Sequence, residues 1–559
     1  MRVQFLIFLT TACATVAAQD VDLVLHNGHI VTVDPNNAAA EAIAVRGDRI
    51  LAVGSNEEIR KLIGVKTKTV DLEGKLVTPG FIEGHAHFVG LGQSKMILDL
   101  TKARTWDDIV KQVAAAADEK GPGEWIIGRG WHQAKWQTPP ESNVHGYPVH
   151  DSLSAMTPEN PVLLTHASGH MCFANAKAME MGGVTKNTAD PKGGEILHTD
   201  DGQPSGVFRE TAQSLVRGNQ TTTPAQAERD LQRAIQLATD ECLENGITSF
   251  QDAGSSFSTV DAFRKLADND ELRIRLYVMI RDSNARLERL LPKYKIIDAG
   301  NKRLTVRAIK RSIDGALGPH GAWLLEPYED LPNSTGLNTA SVESVRRSAE
   351  LGNQHGFQVC VHAIGDRANR ETLDIFESFL TKRPDGKNLR WRVEHAQHLH
   401  PDDVPRFAKL GVIASMQAVH CTSDAIFVPN RLGETRSQFG AYVWRSLLDS
   451  GAVVTNGTDV PVEDVNPIDS FYASVTRRLK NGTQFFPQEC MTREEALQSY
   501  TLSCAFAAFE EGDKGSLEKG KLADMVVWSA DFMKCDEEDI RQATAVHTIV
   551  GGQILYSSK

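Results

Sequence analysis

An alternation constrains this chain most. Apolar, strand-like runs at residues 248–252, 275–280, 307–310, 357–362, 391–395, 412–416 and 453–456 are separated in many places by helical stretches such as 224–244 and 368–380. The first of these helices has a ready start, with Thr223 as cap and Pro224 at the first helical position. Repeated strand-then-helix units specify a parallel sheet. With the buried run at residues 76–82 the strands number eight, enough to close a (β/α)8 barrel. Residues 96–236 are too long for one crossover and read as a large insertion after the first strand.

The two chain ends follow another pattern. In residues 21–33, Asn27-Gly28 separates two apolar runs, a strong hairpin signal. Residues 42–53 repeat it around Gly47-Asp48, and residues 524–528 and 548–556 form similar short strands. Each end alone is a thin sheet with an unburied face; joined, they make a small β-sandwich. The expected fold class is α/β. A TIM-type barrel spans 79–510, with its insertion at about 96–236. Sandwich parts at 19–78 and 511–559 flank it.

Arg2, an apolar stretch at 5–18 and the small residues Val16-Ala17-Ala18 have the form of an export signal cut before Gln19. Residues 1–18 are thus read as a signal peptide, which predicts export to a periplasm or a secreted, extracellular location. The stretch is short for a membrane span. The formal charge is −12 and no basic stripe with interleaved aromatics occurs, which argues against nucleic acid as a partner. The cysteines after residue 18 are scattered and odd in number, unlike a disulfide framework.

Polar residues recur at the strand ends. His85 and His87 end the first, Lys310 the fourth, His362 the fifth, His395 the sixth and Asp459 the eighth. Alternate residues of a strand share a face, so His85 and His87 can grip one ion together. Functional groups of a barrel converge from the C-terminal strand ends on one mouth. Imidazoles and carboxylates bind divalent metals, with zinc the default for a nitrogen-rich site. A protonated lysine repels cations. Lys310 enters such a set as the carbamate it forms with carbon dioxide; otherwise it is an ion-pair partner or a substrate contact.

The motifs Pro79-Gly80-Phe81-Ile82-Glu83-Gly84-His85-Ala86-His87, Gly169-His170-Met171-Cys172, Asp314-Gly315-Ala316-Leu317-Gly318, Val361-His362-Ala363-Ile364-Gly365-Asp366, Glu394-His395-Ala396-Gln397 and Gly457-Thr458-Asp459 make the chain resemble the amidohydrolase superfamily. Within it, the chain is similar to the YtcJ-like amidohydrolase 3 group that includes N-substituted formamide deformylases. The resemblance covers residues 22–557. It implies two Zn2+ ions: His85 and His87 on the more buried one with Asp459 nearby, His362 and His395 on the other, and carbamylated Lys310 as bridge. It implies Asp459 as general base, then acid, toward a small-molecule amide. His170 faces the substrate on this reading, and Asp314 and His320 are substrate-side candidates. Pro319-His320-Gly321 stands where relatives often carry Ser-Arg-Thr, and Glu83 where Asp-Ser is common. A homodimer is compatible with it. Alternatives are a deaminase or cyclic-amide hydrolase of the same superfamily and a non-catalytic small-molecule-binding barrel.

Overall fold

The apolar run at 76–82 is two strands in two different sheets. Leu76–Pro79 and Phe81–Ala86 are separated at Gly80, where a side chain would collide with Thr248. This glycine is where the chain passes from the terminal sheets into the barrel. The computed structural model describes residues 21–218 and 222–558. The export-signal residues 1–18 lie outside the described residues. No helix among the described residues is long and apolar enough to cross a membrane.

Eight parallel strands follow one another around the barrel: Phe81–Ala86, Ile247–Ser255, Arg275–Ile280, Leu304–Ser312, Gln358–Ala363, Arg392–His395, Ile413–Ser415 and Val454–Thr455. Backbone hydrogen bonds bridge the seam between the last and the first. Gly84 N–H donates to Asn456 O (3.1 Å), Asp459 N–H to His85 O (2.9 Å) and His87 N–H to Val460 O (2.9 Å). The period of two along each strand decides what faces inward. Tyr277, Met279, Ala308 and Cys360 share one small interior cluster, whereas Val278, Val306, Val359 and Val361 join the large core under the helices. The same alternation carries Lys310 inward after Ala308, and His362 after Cys360.

The helix Pro224–Glu244 is capped by Thr223, whose side chain accepts from Gln226 N–H. It buries Ile235, Ala238, Cys242 and Leu243 in the barrel core. The barrel therefore resumes at 224, ahead of the end expected for the insertion. Between Leu98 and Glu210 lies a six-stranded mixed sheet with its own core, including Trp106, Ile109, Trp131 and Phe173.

At the ends, Asn27-Gly28 does not close a hairpin. Leu23–His26 pairs with Ala42–Arg46 and Lys68–Asp71, whereas His29–Val31 pairs with Ala39–Ala40 and Leu76–Pro79 in another sheet. The turn, with Asn27 at φ +60°, carries the chain between sheets. A local turn signal fixes a reversal but not the partner, and burial chose the partner here. The second sheet takes Met525–Trp528, Ala545–Val550 and Gln553–Ser557 from the other end, Met525–Trp528 pairing antiparallel with Leu76–Pro79. Leu25, Val45, Val77, Met525 and Ile549 of the two sheets share one apolar cluster. The seven cysteines of the described chain are all free.

Candidate metal centre and cavity

The strand ends open into a cavity of about 600 Å3 lined by His87, Arg129, His170, Glu210, Arg281, Lys310, Asp314, His362, His395 and Asp459, among others. Its floor is a buried polar layer. Arg392, with no exposed surface, pairs with Glu394 (2.7 Å) and donates to Gly84 O (2.7 Å) and Ser415 Oγ (2.6 Å). Glu394 in turn hydrogen-bonds His85 Nδ1. Burial raises the Glu394 carboxyl, but Arg392 and His85 outweigh it and hold the group well below the usual range. A carboxylate at Nδ1 places the proton there, so Nε2 of His85 presents a lone pair to the cavity. His395 is set the same way: Nδ1 lies 2.7 Å from Gln417 Oε1, whose amide nitrogen donates to Ser415 O.

Both Glu394 and His395 reach this centre although they are adjacent in sequence. His395 has φ +75°, which breaks the alternation that would turn it outward. Asp459 (φ +57°) and Glu210 (φ +48°) also hold left-handed backbone at the cavity. Such conformations cost free energy and persist where surrounding structure imposes them.

Ligand atoms of His85, His395 and Asp459 lie within 4.8 Å of one another. Asp459 Oδ1 is 3.6 Å from His85 Nε2 and 3.3 Å from His87 Nε2. The rings of His362 and His395 are 4.5 Å apart. Lys310 Nζ is 3.3 Å from His85 Nε2. The structure thus gathers the six strand-end residues at one place.

These residues fit a divalent ion. Asp459 Oδ1 and His362 Nε2 are buried without a hydrogen-bond partner, and the His85 lone pair points at a carboxylate oxygen. Acceptors facing acceptors call for a cation. Burial pushes His85 down to about 4, helped by Lys310, and holds His362 and His395 well below the ordinary imidazole value. Neutral imidazoles are what metals bind. Burial also pushes the Lys310 ammonium down to about 8, against the pull of Glu394. A lysine so placed has an accessible free amine, the form that adds carbon dioxide.

His170, from the inserted sheet, stands above His362 with ring centroids 5.1 Å apart. Its Nδ1 is 2.8 Å from Glu210, which raises His170 against the effect of burial. The structure separates the other two substrate-side candidates: Asp314 lines the cavity and His320 does not. The Asp314 carboxylate accepts from the amides of Trp323 (2.9 Å), Ile364 (3.1 Å) and Gly365 (2.8 Å), so it fastens two loops behind His362. His320 turns to Asp330 (3.1 Å) and packs on Tyr328, away from the cavity lining.

Sequence reasoning missed three residues. Glu394 was legible only as a neighbour of His395. Glu210 ends a strand of the insertion and carries no motif. His420 lies in no motif and is buried, with Nε2 3.6 Å from Asp459 and Nδ1 3.7 Å from Glu463. Burial opposes its charge, yet these two carboxylates hold it up at about 10.

A parallel barrel with histidines and an aspartate gathered at its C-terminal strand ends defines a hydrolase that works with a divalent metal. Residues 68–556 match the profile described as the amidohydrolase family, and the chain belongs to that family. It is 33% identical to Protein LONG AFTER FAR-RED 3 of Arabidopsis thaliana, over 96% of this chain and 91% of that protein. It is 27% identical to the N-substituted formamide deformylase of Arthrobacter pascens, over 96% and 98%. A crystal structure of an uncharacterized metal-dependent hydrolase from Pyrococcus horikoshii superposes with a TM-score of 0.73 at 25% identity, covering 92% of this chain and 99% of that one.

Proposed function

We propose that this chain hydrolyses a non-peptide C–N bond, an amide of the N-substituted formamide type. The observation that carries the reading is the set of buried, unpartnered acceptors around Asp459, set within a family of hydrolases. His85, His87 and Asp459 would hold one divalent ion, His362 and His395 a second, with Lys310 joining them as its carbamate; zinc suits the nitrogen-rich set. When bound, such ions acidify water and polarise a carbonyl. The chain's own residues do the rest. Asp459 is held ionised well below the carboxylate range by His420 and His87 against the effect of burial, so at neutral pH it is ready to accept a proton from the attacking water. It then delivers that proton to the departing nitrogen. Glu394 and Gln417 keep His85 and His395 in fixed tautomers. His170, steadied by Glu210, offers a donor from the opposite wall toward the substrate oxygen.

The test is a panel of N-formyl, N-acyl and cyclic amides with metal-reconstituted protein, run alongside Asp459→Asn. Turnover should fall by at least about a thousandfold in the variant when both proteins are compared at equal metal content. Unaltered turnover refutes the proton-transfer role. A metal analysis giving one ion, with Lys310 unmodified by mass spectrometry, refutes the bridged pair.

A further inference from the structure

Every charged lysine, arginine or carboxylate lining the main cavity has a protein partner or a place in the metal centre among the described residues, with one exception. Glu210 holds His170, Asp314 holds three amides, and Asp459 faces His87. Lys310 approaches His85. Arg129 donates to the carbonyls of Pro461 (3.2 Å) and Ala167 (2.9 Å). Arg311 donates to Asp282 O (2.7 Å) and Ser344 Oγ (3.3 Å). Arg281, which follows the third barrel strand, lines the same cavity with neither an ion pair nor a side-chain hydrogen bond among the described residues.

Its position is built. The Arg281 amide donates to Ser255 O (2.9 Å). Gly254, at φ +133°, leaves room for the stem: a Cβ there would stand 3.0 Å from Arg281 Cδ. The nearby cations Lys310 and Arg311 both feel the Arg281 charge. Glu210 acts on the guanidinium through space but hydrogen-bonds His170 instead. The guanidinium is exposed to the solvent of the cavity with its donors unpaired, so an anion brought by a ligand can take them. Its planar fork matches a carboxylate in two parallel hydrogen bonds.

We propose that Arg281 anchors a carboxylate of the substrate, so that the preferred amides carry an acid group a few bonds from the scissile C–N bond. This rests on the amide-hydrolase reading above and narrows it.

The probes are N-formylglycine, N-formyl-β-alanine and N-formyl-γ-aminobutyrate, each paired with its neutral carboxamide. For at least one pair, full-length metal-loaded protein should favour the acid by tenfold or more in kcat/KM. Arg281→Met should erase that preference, and Arg281→Lys should keep part of it. Equal use of acid and carboxamide across all pairs overturns the anchor, as does a preference that survives in Arg281→Met. If no amide is cleaved, the hydrolase reading falls and the anchor is judged separately. Calorimetric titration of the same pairs into chelator-treated wild type and Arg281→Met removes metal ligation by the probe. An Arg281-dependent preference for the acid then supports the anchor, and its absence overturns it.

Discussion

On the barrel side of the cavity His85 is backed by Glu394 and Arg392, all fully buried and tied to the first and seventh strands. On the inserted side His170 is backed by Glu210 alone, at the end of a strand, with the His170 ring 23% exposed. The first arrangement cannot shift without breaking a buried charge network. The second has no such network behind it. One histidine is held by the core of the fold and the other by an attachment to it, so the floor suits a fixed metal position and the wall suits selection of what enters.

The sharpest way to break this contrast is Arg392→Met. It leaves the Glu394 charge buried without its guanidinium and should cost about 3–5 kcal/mol, read from urea unfolding. A loss under about 1 kcal/mol would mean that the floor is no more rigid than the wall. Next in size, Glu394→Gln keeps the shape but weakens the hold on His85; metal affinity should drop about 10–100-fold in a chelator competition. Glu210→Gln, the matching change on the wall, should leave metal affinity alone and lower kcat/KM about tenfold. It should also move the His170 titration, followed by NMR, down toward the ordinary imidazole value. The sign follows from linkage: a raised histidine stabilises the fold below its unfolded value and loses that contribution as pH rises through the folded one. The stability gap between wild type and Glu210→Gln should therefore be widest in acid and close above neutrality. Smallest is His320→Gln, which severs a half-buried pair with Asp330 outside the cavity. It should cost no more than about 1 kcal/mol and leave KM within about twofold; a larger KM effect would return His320 to the substrate side.

The barrel was legible because each of its eight strands is a short apolar run, and a run of that kind survives any choice of partners. The strand-end residues were legible for the same reason: the architecture assigns them a position before any contact is known. Partners were not. Asn27-Gly28 announces a reversal, but only the shared core of two sheets decides that its flanking strands part company. Glu210 and His420 reach the site through segments whose placement no local pattern encodes. His320 misled because it stands next to a loop that does line the site, while its own side chain, at φ +57°, turns to Asp330. Asp314 was legible as a substrate-side candidate, but its carboxylate is filled by backbone amides that sequence cannot pair with it.

The ladder joining Leu76–Pro79 to Met525–Trp528 has a mechanical consequence. It clamps the two ends of the chain together just outside the barrel. Tension applied at the termini must part this ladder, and the Arg275–Asp524 ion pair beside it, before the eight strands separate. In a pulling experiment the first rupture should release only the terminal sheets, and the metal-binding strand ends should stay assembled behind it.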